Sequence, residues 1–220
     1  MFEATKIIHQ NNDWITFVLL FVLVVLSLLR VIFKDRLSYV NKVFISKKYF
    51  LTYFNKGKRN FLNGFHVSLF IVQLLVLSLL IYLANRQFQL QLIPINFRGY
   101  ILIIFCVSLY FILHYLIGLL LAFLFNFKIN YSKIVYHKNS YFNNLILWLL
   151  PFIILTVYIN NYQGLVLNIT LLLFGLLLLL RYSLILINNK KLIFNNLFYF
   201  ILYLCALEIA PLIIILKLTF

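Results

Sequence analysis

Apolar residues fall into six long runs along this chain, and short polar segments separate them. The runs cover roughly residues 14–33, 65–84, 100–125, 145–158, 165–187 and 197–216. A helix needs about 20 predominantly apolar residues to cross the hydrocarbon core of a bilayer. Strands of a membrane barrel instead alternate apolar and polar residues over about 10 positions. The pattern therefore predicts an all-α, polytopic transmembrane bundle with six spans.

The fourth run is the weakest of the six, because it is short and contains Pro151. It either extends back to Tyr141 or pairs with the fifth run as a helical hairpin through residues 160–164. With only five spans, lysine and arginine residues would no longer be concentrated on one side of the membrane. We therefore keep this run as a span.

Composition supports a single membrane domain over residues 1–220. Hydrophobic residues make up 65% of the chain and charged residues 10%, against about 45–50% and about 25% in soluble domains. The longest polar segment, residues 34–64, is too short to form a soluble domain with its own core.

Lysine and arginine divide unequally between the two sides that six spans define. One side holds 15 of them and the other holds four. The larger set is Arg30, Lys34, Arg36, Lys42, Lys47, Lys48, Lys56, Lys58, Arg59, Lys128, Lys133, Lys138, Arg181, Lys190 and Lys191; the smaller is Lys6, Arg86, Arg98 and Lys217. Because cytoplasmic loops carry the excess of positive residues, both termini are predicted to face outward.

Trp14, Tyr82 and Tyr100 lie near predicted span ends, where aromatic residues anchor helices at the membrane interface. Arg181 is expected to reach lipid phosphates.

The cytoplasmic loop at residues 34–64 mixes basic and aromatic residues. Its apolar positions recur at roughly helical spacing, which is typical of a helix lying on an anionic leaflet. Docking of a cytoplasmic partner and a purely topological role remain open alternatives. The candidate contacts to lipid headgroups or a partner are Arg36, Lys42, Lys47, Lys48, Lys56, Lys58 and Arg59. A nucleic-acid partner is not expected, because an anionic membrane lies beside these charges.

Glu208 is the only one of the four acidic residues that lies inside an apolar run. A carboxylate there costs about 2.5–3.5 kcal/mol on insertion scales, so Glu208 is a candidate functional residue. It lies 11 positions from residue 197, and His114 lies 11 positions from residue 125. Both are therefore about 16 Å from their predicted cytoplasmic ends. A Glu208–His114 contact is one hypothesis; hydrogen bonds from Glu208 to a backbone carbonyl and from His114 to Tyr110 or Ser108 are the alternative.

Two helix faces complete this candidate intramembrane site. On the last span, Cys205, Glu208 and Pro211 share a face, and Pro211 is expected to kink the helix. On the third span, Tyr110, His114 and Gly118 share a face, and Gly118 would permit close approach of another helix.

No catalytic residues, metal site or cofactor are predicted. Haem ligation by two histidines needs both at one depth, whereas His66 is placed at a span end and His9 and His137 outside the spans. The motifs of metalloproteases, nucleotide-binding loops and nucleophile elbows are not found.

The segment 196–217, NLFYFILYLCALEIAPLIIILK, resembles the closing segment of the DUF4271 family. The pattern is carried by Tyr203, Leu204, Cys205, Leu207, Glu208 and Pro211. The resemblance implies an uncharacterised multi-pass protein of the inner membrane of Bacteroidota with no established activity. In such a membrane, the outward-facing termini predicted from the charges would be periplasmic.

Three functions remain open at this point. The leading one is a non-enzymatic subunit or accessory factor of an envelope complex, packing with itself or with other membrane proteins. The alternative is a small proton-linked transporter or channel that uses Glu208 and His114. A lipid-modifying enzyme is weaker, because candidate catalytic groups are lacking.

Overall fold

The protein folds into antiparallel α-helices in a computed structural model that describes residues 13–41, 64–88, 94–124, 128–159 and 162–188. The described helices are α1 (Asp13–Ile32), α2 (Lys34–Asn41), α3 (Gly64–Gln87), α4 (Phe97–Leu124), α5 (Lys128–Tyr158) and α6 (Gln163–Asn188). All except the short α2 are long and apolar enough to cross a membrane. The all-α prediction is confirmed for this part of the chain, and the predicted span at 197–216 lies outside the described residues.

Aromatic contacts fix the directions of the first helices. Trp14, at the start of α1, packs with ring centroids 5.0 Å from both Tyr82, near the end of α3, and Tyr100, near the start of α4. At the opposite end, Phe33 packs 5.4 Å from Phe65, at the start of α3. We call these the Trp14 end and the Phe65 end of the bundle. The helices α1 and α3 therefore run antiparallel.

The remaining helices continue the alternation. Tyr131, near the start of α5, donates a hydrogen bond to the carbonyl of Tyr115 in the second half of α4 (3.3 Å). Gly164, at the start of α6, lies against the side chain of Gln87 at the end of α3. Thus α5 starts and α6 ends at the Phe65 end.

Burial separates central from peripheral helices within the described bundle. The spans of α3 and α5 are 50% and 61% buried, whereas those of α1, α4 and α6 are 22%, 17% and 17% buried. A helix at the periphery keeps apolar residues on its outer side, because lipid tails are as apolar as leucine. The central pair, α3 and α5, contributes most of the buried residues.

Helix α5 corrects the prediction for the fourth span. It has 31 residues and begins at Lys128 rather than near 145, and its apolar span begins at Ile134. Ser140, Asn143 and Asn144 lower the hydropathy of residues 128–144, yet they are 3%, 4% and 0% exposed. Contacts with α2, α3, α4 and α6 surround α5, so these polar groups meet protein rather than lipid. Hydropathy cannot distinguish the two environments.

The predicted interfacial anchors at the Trp14 end form an internal cluster instead. Tyr82 and Tyr100 are 2% and 1% exposed, and the Tyr100 hydroxyl donates to the carbonyl of Leu75 (3.2 Å). Trp14 also packs 5.6 Å from Phe97. Aromatic pairs at these separations add about 0.5–1.5 kcal/mol to their area burial, so the cluster joins α1, α3 and α4.

Replacing Tyr82 with alanine should destabilise the bundle strongly. Loss of a buried aromatic ring costs about 3–5 kcal/mol, which corresponds to a decrease of on the order of 10 °C in the thermal midpoint for a chain of this size. The measurement is thermal unfolding of the purified protein in mild detergent. Phe17→Ala is the matched control, because Phe17 is 72% exposed and its loss should have little effect. Equal shifts for the two variants would show that the aromatic cluster contributes no stability.

Candidate functional site

His114 contacts a lysine in the described part of the chain. Its Nε2 atom lies 3.1 Å from Nζ of Lys138 on α5. An ammonium group can only donate hydrogen bonds, so in contact with a charged lysine the imidazole Nε2 is the acceptor. Glu208 lies outside the described residues, and its contact with His114 stays a prediction.

Tyr110 shares the face of α4 that carries His114, as predicted. The two rings are 5.9 Å apart and meet edge to face at 61°. Tyr110 is 45% exposed, so this face reaches from the bundle surface to the half-buried His114. Cys106, one turn earlier on α4, is exposed.

Arg181 faces the bundle interior, not the headgroups as predicted. It is 7% exposed, and its guanidinium lies 4.7 Å from the ring centre of Phe142 on α5 and 5.4 Å from that of Tyr182. A cation over an aromatic face gains about 2 kcal/mol or more when it is desolvated. Phe142 therefore holds the charge of Arg181 beside α5.

These side chains line one cavity between α3, α4, α5 and α6. Its volume is about 360 Å³, and His114, Lys138 and Arg181 are joined in its lining by Gln73, Tyr131 and Asn139. The described residues of the lining include lysine, arginine and histidine but no aspartate or glutamate. We call it the cationic cavity. Its chemistry suits an anionic group, since the Arg181 guanidinium stays charged in proteins and an ammonium at Lys138 would add a second charge-assisted donor.

A second, smaller cavity adjoins it toward the start of α3. This cavity, of about 220 Å³, is lined by His66 and Ser140 among others and shares Phe70, Val135 and Asn139 with the first. The ring of His66 packs 5.8 Å from that of Tyr136. His137, predicted to lie outside the spans, is in α5 and only 6% exposed.

Buried amide groups continue the polar character from the cavity into the α3–α5 core. Within the described ranges, Oε1 of Gln73, Oδ1 of Asn143 and both polar side-chain atoms of Asn144 have no hydrogen-bond partner. Buried polar atoms are usually hydrogen-bonded, so these positions mark a region where polar chemistry is concentrated inside the bundle.

Gly118 brings α4 and α5 close together beside the cavity. A Cβ atom at position 118 would overlap the hydroxyl group of Tyr131 and lie 2.8 Å from Cζ of that ring. The expected close approach at Gly118 is therefore present. Tyr131 precedes the apolar span of α5, and burial, with a contribution from Tyr115, raises the pKa of its hydroxyl, which therefore remains a donor to the Tyr115 carbonyl.

The site residues predicted from the sequence agree only partly with those that the structure brings together. The structure joins the predicted His114 and Tyr110 to Lys138, Arg181 and Gln73, which the sequence analysis did not assign to a site. Lys138 was missed because residues 128–144 were interpreted as a loop. Cys205, Glu208 and Pro211 lie outside the described residues.

Of the seven basic residues predicted to contact lipid headgroups or a partner, only Arg36 is among the described residues. Its guanidinium lies over the ring of Phe65, 5.7 Å from the ring centre.

Gly118→Ala should separate α4 from α5. The new methyl group must displace the Tyr131 ring, and overpacking of this kind costs about 1–3 kcal/mol. Gly175→Ala is the matched control, because nothing lies within 4 Å of a Cβ there and alanine favours a helix by about 0.5–1 kcal/mol. Thermal midpoints in detergent should fall for the first variant and stay level or rise for the second. A midpoint unchanged by Gly118→Ala would contradict the close approach.

Comparison with known proteins agrees with the resemblance seen in the sequence. No curated protein and no solved structure matches the chain. A family model described as "Domain of unknown function (DUF4271)" matches residues 15–219. The match covers α1 from Ile15 onward, all the other described helices and the segment that contains Glu208. The chain therefore belongs to the DUF4271 family.

Proposed function

We propose that this protein is a non-enzymatic accessory factor or subunit of an envelope complex in a bacterial inner membrane. In this role, the bundle holds loop 34–64 at the cytoplasmic face, where the loop contacts anionic lipid headgroups and a protein partner. The observation that carries the proposal is the packing of both ends of the loop onto the bundle core.

The first end of the loop is fixed by α2. Val40 is 1% exposed and belongs to a buried cluster with Tyr136 and Tyr141 of α5. Complete burial of one such side chain contributes about 1.5–3 kcal/mol. The beginning of the loop therefore packs against α5 through Val40, although the sequence had suggested a helix lying in the lipid surface.

The second end is fixed by the start of α3. Phe65 is 0% exposed and belongs to the same buried cluster as Val40. The guanidinium of Arg36 lies over the Phe65 ring, so the two ends are also in contact with each other. The described residues on either side of 42–63 thus belong to one base formed by α2, α3 and α5.

The positive charge of loop 34–64 indicates that its partners are anionic. Six lysine and arginine residues, from Lys42 to Arg59, fall between the two fixed ends. Each one near an anionic leaflet contributes about 1 kcal/mol. Held at one base, these cations act together on a headgroup layer or on an acidic protein surface.

The geometry gives less support to proton-linked transport. The Nε2 atom of His114 lies 3.1 Å from Nζ of Lys138 and is engaged in that contact. A relay through His114 would first require that contact to open.

Removing positive charge from loop 34–64 should reduce the amount of partner protein and lipid that stays bound to this protein during purification. The variant is Lys47→Gln/Lys48→Gln/Lys56→Gln, and its control is Lys6→Gln/Arg98→Gln/Lys217→Gln, which removes three charges from the predicted opposite side. Both variants are isolated from native membranes in mild detergent, and retained proteins and lipids are quantified by mass spectrometry. We expect a loss of about tenfold or more for the loop variant only, since three contacts of about 1 kcal/mol each are removed. Equal retention by both variants would reject the proposal.

Val40→Asp should cause a similar loss of bound proteins and lipids, although all positive charges of the loop remain. A buried, unpaired carboxylate would detach α2 from α5, because burying a charge without a partner is costly. The exposed position Val31 on α1 (81% exposed) provides the control variant Val31→Asp. Retention unchanged by Val40→Asp would show that the base does not position the loop. The thermal midpoint identifies any general unfolding.

A further inference from the structure

We infer that the cationic cavity binds the headgroup of an anionic phospholipid, which enters from the bilayer past α4. The phosphate group of the lipid then meets Lys138 and Arg181, and an acyl chain lies along the apolar part of the lining. This site is inside the bundle, so it goes beyond the contacts proposed for loop 34–64 and does not depend on them.

Helix α5 presents one face to the cavity. Tyr131, Val135, Lys138 and Phe142 all line it, and they follow one another at the three- and four-residue spacing of a single helix face. Within this stripe, one basic group lies on an otherwise aromatic and aliphatic wall. Small-molecule sites have this composition, with a few polar groups in a mainly apolar lining, and volumes of about 300–1,000 Å³. The cavity of about 360 Å³ therefore suits the charged end of an amphiphile.

Two basic side chains reach the lining from different helices. Nζ of Lys138 lies 3.1 Å from Nε2 of His114, and the Arg181 guanidinium lies 4.7 Å from the ring centre of Phe142. These contacts position the two groups and persist when a ligand binds, because an ammonium has three N–H donors and a guanidinium has five. A phosphate group accepts charge-assisted hydrogen bonds from both, and its negative charge favours the ammonium form of Lys138. Basic pockets between transmembrane helices bind phospholipid headgroups in this way.

Depth places these groups near one leaflet. Lys138 lies four residues, or about 6 Å, after Ile134, where the apolar span of α5 begins. Arg181 lies six residues, or about 9 Å, before Ile187, where the span of α6 ends. Both boundaries are at the Phe65 end, and the hydrocarbon core is about 30 Å thick. The two side chains are therefore close to the phosphate layer of that leaflet and far from the middle of the bilayer.

The cavity borders the outer surface of the bundle at α4. Ile112 and Leu116 belong to its lining, yet they are 55% and 53% exposed. The span of α4 as a whole is only 17% buried within the described bundle. A molecule in the bilayer thus reaches the cavity sideways past these two residues. This route favours a lipid over a free phosphate ion, which would arrive through water.

Gln73 adds an independent sign of a ligand. Its side chain lines the cavity and is 2% exposed, and within the described part of the chain its Oε1 atom has no hydrogen-bond partner. Buried polar atoms are usually hydrogen-bonded. We expect this oxygen to accept a hydrogen bond from a water molecule that enters with the headgroup.

Lipid titration followed by native mass spectrometry tests the charge requirement. Phosphatidylglycerol is added to the protein in mild detergent, in a Lys47→Gln/Lys48→Gln/Lys56→Gln background that limits binding to the loop. Lys138→Gln and Arg181→Gln should each weaken binding about tenfold or more, because each removes a charge-assisted hydrogen bond. Arg30→Gln, at an exposed position of α1, is the matched control and should leave the affinity unchanged. Equal affinities in all three variants would overturn the inference.

A steric variant tests the site with every cavity charge in place. Ile112→Trp puts a large ring at the entrance and should weaken phosphatidylglycerol binding about tenfold or more, because overpacking an occupied cavity is unfavourable. Its control is Leu113→Trp, since Leu113 is 48% exposed and is not part of the described lining. Both substitutions are at exposed positions, so thermal midpoints without lipid should agree. Equal binding by the two tryptophan variants would place the lipid elsewhere and overturn the inference.

Two further ligands identify the source of the anionic group. Phosphatidylcholine with the same acyl chains has a zwitterionic headgroup and should bind about tenfold more weakly than phosphatidylglycerol; equal binding would overturn the charge requirement. Inorganic phosphate alone should not displace the lipid. Displacement by phosphate would assign the cavity to a free anion and overturn the lipid assignment. Failure of this inference would leave the role of loop 34–64 untouched, because the loop experiment changes residues outside the cavity.

Discussion

The bundle depends on keeping the polar side chains of α5 out of the lipid. A buried amide or hydroxyl without compensation costs a few kcal/mol, and the first half of α5 carries several of them, including Ser140, Asn143 and Asn144. The structure surrounds this half with α2, α3, α4 and α6. The central position of α5 agrees with its polarity, since its span is the least apolar of the five described spans.

The same constraint creates the candidate site. Helices packed around a polar segment bring their own polar residues to it, so Gln73 of α3, His114 of α4 and Arg181 of α6 meet Lys138 in one cavity. Aromatic rings complete the arrangement: Phe142 lies under the Arg181 guanidinium, and Tyr131 occupies the space opened by Gly118. The described lining of this cavity thus combines two basic side chains with a histidine and aromatic rings.

The Phe65 end of the bundle combines this cavity with the base of loop 34–64. Val40, Phe65, Tyr136 and Ile185 belong to one buried cluster there, and the smaller cavity beside His66 lies between α3 and α5. Five helices contribute to this end, and a separate, larger apolar cluster joins α1, α3, α4, α5 and α6 toward the Trp14 end.

The sequence alone determined the fold class, four of the five described spans to within a few residues, and the family, because long apolar runs and a specific closing motif are local properties of the chain. It also identified Tyr110, His114 and Gly118 as one face of a helix, since helical periodicity is local too. Tertiary structure decided where α5 begins, that Tyr82, Tyr100 and Arg181 face inward, and that Lys138 meets His114. These outcomes depend on which neighbours shield a polar or aromatic side chain. Hydropathy sums the cost of each residue in lipid, whereas the folded bundle exposes each residue to the particular helices packed around it.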